Sequence, residues 1–306
     1  MTSPSFQLRL METFRTVFYT PIYVTVAGGY LESEGLDVDF QTCPPQFPHP
    51  LSALNHNAAD IVQSGIMRSI IASDWGAETV PRHFAEINSR DGFFVLGAHG
   101  SETFQWDEFT GATIIPVGFS PMPWASFQYA LRNHRVRVEG LNLLHGMSLG
   151  EAIDAFHSGV AEFIHLPEPA ASQLIADREA HMSVALGGEN GHITYSSFAA
   201  TNAFLDSRPD VVHRFVAGYS RALTRLAEST PEQISEAVAP FFPDTHPENI
   251  TASIARYKEQ QTWPTTPHMG QMPYEGLQRI LMAAGMVKES QPYEKVVTEE
   301  FTGGLR

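Results

Sequence analysis

Four polar junctions in this sequence carry side chains that could bind a small ligand. Each follows an apolar run typical of a strand and precedes a helical pattern, and their central residues are Thr20, Ser64 with Gly65, Ser120 and Glu168. The first turn of a helix offers unpaired N–H groups and the positive end of the helix dipole, which suit polar or anionic groups of a ligand. For each junction taken alone, a simple helix cap is the alternative interpretation.

Aromatic side chains lie at the same junctions, where Tyr19, Phe119 and Trp124 are the candidates for contact with a ligand. Each of them could instead pack in the core of its lobe. Together with the polar junctions they favour a partly flat or apolar ligand held by stacking. Arg68 and Arg90 could pair with a carboxylate or sulfonate of that ligand, the alternative being a solvated position on the surface.

Few residues suggest catalysis. His165 and Glu168 are the best candidates for an acid–base pair, because both lie near the end of one predicted strand. Glu168 could equally accept a hydrogen bond from a ligand N–H or amine, or simply stabilise a helix N-terminus. The 13 histidines include no HExxH pattern, and Cys43 is the single cysteine, so no metal site and no cofactor is expected.

The composition excludes several classes of partner. Acidic residues number 34 against 19 basic ones, and the net charge of -15 repels nucleic-acid phosphates and anionic lipid headgroups. No window approaches the roughly 18 apolar residues of a membrane span. The first residues also lack the basic and apolar pattern of a secretory signal. A chain that starts at Met1 is therefore expected in the cytoplasm, and in the periplasm if its start has been truncated.

Short apolar runs alternate with helical patterns over much of the chain, which is typical of an α/β fold with mainly parallel sheets. Capping boxes at Ser148–Glu151 and Thr230–Gln233 mark two helix starts. Towards the C-terminus only helices are predicted. A chain of 306 residues suits two lobes. We expect 1–100 with 200–306 to form the first lobe and 101–199 the second, with a ligand cleft between them.

The junction residues also belong to a wider resemblance. Pro21–Asp39, with its Glu-Gly-Leu-Asp-Val turn into the second predicted strand, resembles the opening of the nitrate/sulfonate/taurine and thiamine-pyrimidine group of periplasmic-type binding proteins. The similarity covers roughly the whole chain through segments 59–65, 88–94, 104–111, 159–162, 168–169 and 208–215.

This resemblance implies a type II periplasmic-binding fold, with two α/β lobes, two crossovers and hinge closure on a ligand. It also implies the permease of an ABC transporter as a partner. Members of the group bind sulfonates, nitrate, taurine, aromatic acids or pyrimidines. Its pyrimidine synthases carry a cysteine-rich iron motif and a lysine that holds pyridoxal phosphate. Here the first lysine is Lys258 and there is one cysteine, so that chemistry is not expected.

Three functions fit these observations. The first is a solute-binding protein for a sulfonate, an aromatic or heterocyclic acid, or a pyrimidine-like compound. The second is a cytoplasmic enzyme on the same fold, such as a decarboxylase or hydrolase of a small aromatic or heterocyclic acid. The third is a cytoplasmic ligand sensor. The absence of a catalytic motif favours binding over turnover, and binding is the prediction.

Overall fold

The computed structural model of the chain describes residues 5–100 and 103–304. Its strands lie in two sheets that are flanked by helices. The strands are β1 Phe6–Glu12, β2 Leu36–Thr42, β3 Ile61–Gly65, β4 Arg82–Asn88, β5 Phe93–Gly97, β6 Thr113–Ile115, β7 Asn142–Leu143, β8 Phe163–Pro167, β9 His181–Ala185 and β10 Ser196–Ala200.

The α-helices alternate with these strands and then continue alone to the C-terminus. They are α1 Thr20–Ala27, α2 Pro50–Asn55, α3 Met67–Asp74, α4 Pro121–Asn133, α5 Leu149–His157, α6 Ala170–Ala176, α7 Leu186–Asn190, α8 Asn202–Ser207, α9 Pro209–Glu228, α10 Pro231–Val238, α11 Pro247–Glu259, α12 Gln271–Ala283 and α13 Tyr293–Val296.

The two sheets have the same layout. The first has the order β2-β1-β3-β10-β4 and the second β7-β6-β8-β5-β9. In each sheet the outer strands on one side are parallel, while β10 and β5 run antiparallel to both of their neighbours. Strands β3 and β8 are buried almost throughout, including the polar residues Gln63, Ser64 and His165. The predicted α/β class is confirmed.

The chain crosses between the sheets twice, between Asn88 and Phe93 and again between Ala185 and Ser196. Both crossings come before the predicted boundaries at 100 and 199. Strand β5 lies in the range 1–100 predicted for the first lobe, but it pairs with β8 and β9 of the second sheet. Strand β10 returns to the first sheet between β3 and β4. The division into two lobes that move separately remains a prediction.

The two predicted capping boxes are present, whereas Thr20 is the first residue of α1 and not its cap. Ser148 and Glu151 form a reciprocal capping box at α5, and Thr230 and Gln233 form another at α10. The helical tail does more than cover the first sheet, because α9 and α10 pack on α1 whereas α11 packs on α6 and α12 on α4. Among the described residues, no helix has both the length and the apolar composition needed to cross a bilayer.

Candidate ligand-binding cleft

The predicted ligand junctions lie at the carboxyl ends of parallel strands. In the first sheet, strands β1, β2 and β3 run in the same direction. The loops after β1 and β2 and the start of α3, which follows β3, therefore meet at one edge of the sheet. In the second sheet the loops after β6 and β8 meet in the same way. Ligands bind at such edges in open α/β sheets. The space between these two edges is therefore the candidate cleft.

Aromatic side chains from both sheets meet in this cleft. The ring of Phe14, in the loop after β1, lies 5.6 Å from that of Tyr19 and 5.8 Å from that of Phe119. Phe119 also lies 6.1 Å from Phe93 of the second sheet. Phe119 is 44% exposed although it touches both rings, so it stands at an accessible edge of the cluster. The structure thus brings the predicted Tyr19 and Phe119 together through Phe14, which sequence reasoning missed although it follows a strand end.

A buried hydroxyl, a buried amide and a cation lie beside one another on the first-sheet side. Burial raises the pKa of the Tyr19 phenol, and the side chain of Gln63 lies next to that hydroxyl. The Gln63 carbonyl oxygen accepts a hydrogen bond from the Thr13 backbone N–H at 2.9 Å. Its amide nitrogen is buried and lies next to the Tyr19 hydroxyl, with no other partner among the described residues. That nitrogen is a donor available to a ligand.

Arg68 is the charged group of this edge. Its side chain is half-buried, near Tyr19 and Cys43, and burial lowers the pKa of the guanidinium although these two neighbours oppose the shift. Within the described parts of the chain, Arg68 has neither an ion pair nor a hydrogen bond to another side chain or to the backbone. The same charge contributes to a lowered pKa of His49, after the larger effect of burial. Arg68 therefore offers an unpaired positive charge at the ends of the parallel strands.

The hydroxyl of Thr20 and that of Ser64 are less available than predicted. Thr20 is fully buried, and its Oγ1 donates to the carbonyl of Val17 at 2.7 Å, within its own turn. This bond gives Thr20 a local structural role, and its contact with a ligand remains a prediction. Ser64 is buried in β3 and makes only a long contact of 3.4 Å to the Gly65 carbonyl. Gly65 is partly exposed at the same strand end.

The residues predicted on the second sheet separate into two groups. Ser120 precedes α4 and is partly exposed, but its hydroxyl makes no capping hydrogen bond to the helix. It stays available at the cleft edge beside Phe119. Trp124 packs within the second sheet's own half of the molecule, with its ring 5.7 Å from both Phe127 and His145. No aromatic contact joins Trp124 to the Phe14 cluster in the described residues.

Glu168 stabilises the N-terminus of α6, one of the two roles predicted for it, and also forms an ion pair that the sequence did not indicate. Its carboxylate forms a buried ion pair with Arg256 of α11 and also accepts hydrogen bonds from the Ser172 backbone N–H at 2.8 Å and the Ser253 hydroxyl at 3.2 Å. These partners use the carboxylate to hold a C-terminal helix against the second sheet. Its backbone carbonyl accepts a bond from Thr16 Oγ1 at 3.2 Å, which links the two edges of the cleft.

The proposed acid–base pair of His165 and Glu168 is not formed. His165 lies between Phe93 and Phe127, with ring centroids 5.7 and 5.2 Å away, and neither of its ring nitrogens has a partner among the described residues. Burial lowers the pKa of His165 to about 3, so the imidazole is neutral at pH 7. Because Arg256 occupies the Glu168 carboxylate, His165 has no carboxylate to orient it.

Replacing His165 by leucine is expected to stabilise the protein, and more so in acid than at pH 8. The pKa of His165 is about 3 in the folded chain against 6.5 ordinarily, so the unfolded chain binds more protons between these values and stability falls as the pH falls from 6.5. At pH 5 this difference costs about 2 kcal/mol. Urea unfolding of both proteins at pH 8 and pH 5 measures it. An equal stability difference at the two pH values would contradict the assignment.

Two further buried groups were missed, both in the crossovers. Asp91 accepts a hydrogen bond from the Phe93 backbone N–H at 2.7 Å, while its other carboxylate oxygen has no partner in the described chain. Burial raises the pKa of Asp91 to about 7. The hydroxyl of Tyr195 is likewise buried without a partner, and its ring lies 5.5 Å from Phe18. Buried polar groups without partners are uncommon, so both are candidates to contact a water or a ligand.

Known proteins resemble this chain over nearly its whole length, although no protein family model matches it. A protein of Bacillus subtilis (strain 168) named "Putative binding protein YtlA" is 28% identical over 295 residues, which are 96% of this chain and 88% of YtlA. The periplasmic aliphatic sulphonate binding protein SsuA from Escherichia coli superposes with a TM-score of 0.71 at 17% identity, covering 96% of this chain and 97% of SsuA. The desulfurization enzyme DSZB superposes with a TM-score of 0.67 at 15% identity, covering 97% of this chain and 98% of DSZB.

The chain has two similar sheets, two crossovers and a helical tail that packs on both halves, and it superposes with these solved structures over nearly its whole length. The predicted fold is confirmed: the chain has the two-lobed α/β fold of the type II periplasmic binding proteins.

Proposed function

We propose that the chain is a solute-binding protein that holds a small organic anion with a flat or apolar body in the cleft between its two sheets. The observation that carries this proposal is Arg68, a half-buried cation with no partner in the described chain, at the carboxyl edge of the parallel strands. In this role the permease of an ABC transporter receives the ligand.

The anionic end of the ligand follows from the charge of this edge. The chain carries 34 acidic residues, yet none that the structure describes pairs with Arg68. Partial burial of an unpaired guanidinium is unfavourable, and a carboxylate or sulfonate would relieve this cost with charge-assisted, bidentate hydrogen bonds. The free amide nitrogen of Gln63 and the nearby Tyr19 hydroxyl supply further donors.

The apolar part of the ligand follows from the aromatic cluster. Phe14 and Tyr19 come from the first sheet and Phe119 from the loop before α4, so a ring placed among them would touch both halves of the molecule. Aromatic faces give large contact area at low entropic cost, and pockets of this kind orient a ligand through a few polar groups. The names of YtlA, a binding protein, and SsuA, a sulphonate binding protein, support the same class.

A thermal-shift screen tests this function directly. Benzoate, benzenesulfonate, an alkanesulfonate, nitrate and a neutral control, benzyl alcohol, are each added in excess over the protein. We expect an organic anion to raise Tm through mass action, by several degrees at a hundredfold excess over Kd, and benzyl alcohol to leave Tm unchanged. Equal shifts with the alcohol and with the acids would contradict a charge-directed site.

An enzyme remains the second candidate, because the desulfurization enzyme DSZB has the same fold. The described residues of the cleft argue for binding instead. His165 lacks a carboxylate partner, and burial raises the pKa of the Cys43 thiol, which disfavours the nucleophilic thiolate. Mass spectrometry of each stabilising compound after overnight incubation distinguishes the two functions: an unchanged compound supports binding, and a new product supports the enzyme.

A further inference from the structure

A second cavity, of about 540 Å³, lies beside the two crossovers. The first crossover contributes Arg90 to its wall and the second contributes His192. Residues from 257 to 270, at the end of α11 and in the loop before α12, form the remaining side. We call this cavity the hinge pocket, and none of the cleft residues discussed above lines it. Its volume lies within the range of about 300–1,000 Å³ that is typical of small-molecule sites.

An aromatic wall separates the hinge pocket from the cleft. Tyr257 and Trp263 line the pocket with their rings 5.5 Å apart, and Phe18 lies 5.6 Å from Tyr257 on the other side. The indole N–H of Trp263 donates to the Phe18 carbonyl at 2.8 Å, which fixes the wall. Phe18 in turn contacts Tyr19 of the cleft at 5.4 Å. These contacts lie between the hinge pocket and the aromatic cluster of the candidate cleft, which are therefore distinct places in the fold.

Two cations on the pocket wall have no carboxylate partner in the described chain. The Lys258 ammonium donates to three backbone carbonyls at the end of α9, at 2.9, 3.0 and 2.6 Å. The Arg90 guanidinium donates to the Gly187 carbonyl at 3.1 Å and to the side-chain oxygen of Gln261 at 3.4 Å. Backbone and amide oxygens satisfy hydrogen bonds without cancelling a full charge. The wall therefore keeps an excess of positive charge.

The single carboxylate in the pocket wall does not remove this excess. Glu86 is buried, accepts a hydrogen bond from the Ser89 hydroxyl at 2.8 Å, and faces the Nε2 atom of His192 at 3.4 Å. The charges of Arg90, Lys258 and Glu86 leave one net positive charge in the pocket wall. His268 adds a buried Nδ1 atom that has no hydrogen-bond partner among the described residues.

We propose that the hinge pocket is a second ligand site, which binds an aromatic carboxylate. The carboxylate of the ligand pairs with Arg90. It also accepts a hydrogen bond from His268 when that histidine carries its proton on Nδ1. The aromatic ring packs against Trp263 and Leu226, which supply the apolar part of the wall. Because both crossovers contribute to the site, a ligand there stabilises one relative position of the two sheets. The site does not depend on a ligand being bound in the cleft.

Fluorescence titration with 2-naphthoate tests the proposal on the full chain. The wild type, Arg90→Gln, Thr266→Trp and Arg68→Gln are compared. Thr266 also lines the pocket, so tryptophan at that position fills the cavity and leaves both cations in place. We expect Arg68→Gln to leave the Kd of 2-naphthoate at this site unchanged, whereas Arg90→Gln and Thr266→Trp each raise that Kd at least tenfold. Circular dichroism and Tm confirm that each variant is folded.

The outcomes separate this site from the cleft. If 2-naphthoate binding is lost in Arg68→Gln and unchanged in Arg90→Gln and Thr266→Trp, the ligand binds in the cleft alone. This result overturns the hinge-pocket proposal and supports the proposed function. A site insensitive to all three substitutions, or no binding of 2-naphthoate, also overturns it. If Arg90→Gln is poorly folded, the result for Thr266→Trp decides, since that threonine lies at the partly exposed rim of the pocket.

Discussion

Replacing Arg68 by glutamine is expected to raise the Kd of an organic anion in the cleft by about tenfold to a hundredfold. A hydrogen bond to a charged group contributes about 1.5–3 kcal/mol, and glutamine keeps some polarity but no charge. Isothermal titration with the best acid from the thermal-shift screen measures this change. The neutral benzyl alcohol should bind both proteins with the same weak affinity, because it does not use the charge.

The matched control is Arg132→Gln. Arg132 is an exposed residue in the last turn of α4, and its loss changes the net charge of the protein by the same amount. If net charge alone governed affinity, both variants would weaken binding equally. A local contact predicts a large change for Arg68 only. It also predicts that added salt weakens ligand binding to the wild type more than to Arg68→Gln, since salt screens charge interactions.

The second large effect is expected at Glu168. Changing Glu168 to glutamine leaves the Arg256 guanidinium next to a neutral group, and breaking one side of a buried ion pair typically lowers the free energy of unfolding by about 3–5 kcal/mol. The Glu168 side chain is fully buried and that of Arg256 is only 25% exposed, so solvent screens the pair poorly. Urea unfolding measures the loss.

A double variant distinguishes the pair from its surroundings. Glu168→Gln with Arg256→Met removes both charges, and it should recover a large part of the stability lost in Glu168→Gln. The Glu168→Gln protein, assayed well below its Tm, should bind the cleft ligand with unchanged affinity. A strong loss of affinity without a loss of stability would instead restore Glu168 as a ligand contact.

Arg68 and Glu168 also show which features the sequence could predict and which it could not. Capping boxes, such as those at Ser148 and Thr230, involve neighbours three residues apart, so local pattern was sufficient. The partner of Glu168 is 88 residues away along the chain, and no local pattern encodes such a contact. For Arg68 the sequence leaves open a ligand contact or a solvated position, because the lack of an acidic neighbour becomes visible only when the distant loops are placed.

The arrangement of the sheets was likewise predictable in part from the sequence. Parallel strands at the start of the chain brought the predicted junctions to one edge, as topology requires. Strand β5 lies within the range 1–100 predicted for the first lobe, yet its hydrogen bonds to β8 and β9 place it in the second sheet, and this distant pairing has no local signal in the sequence. Thr20 was a helix-start signal that the fold uses internally, through its bond to Val17. Tyr19, Phe119 and Ser120 remain predicted contacts, awaiting a bound ligand.

The return of the C-terminal helices over both sheets gives the molecule a third tether beside its two crossovers. α10 packs on α1 and also on α11, which is clamped to α6 by the pair of Arg256 and Glu168. If the second sheet moves away from the first, α11 must either move with it and strain its contact with α10, or lose the ion pair between Arg256 and Glu168. Any separation of the two halves must therefore rearrange the contacts of α11 as well as the two crossovers.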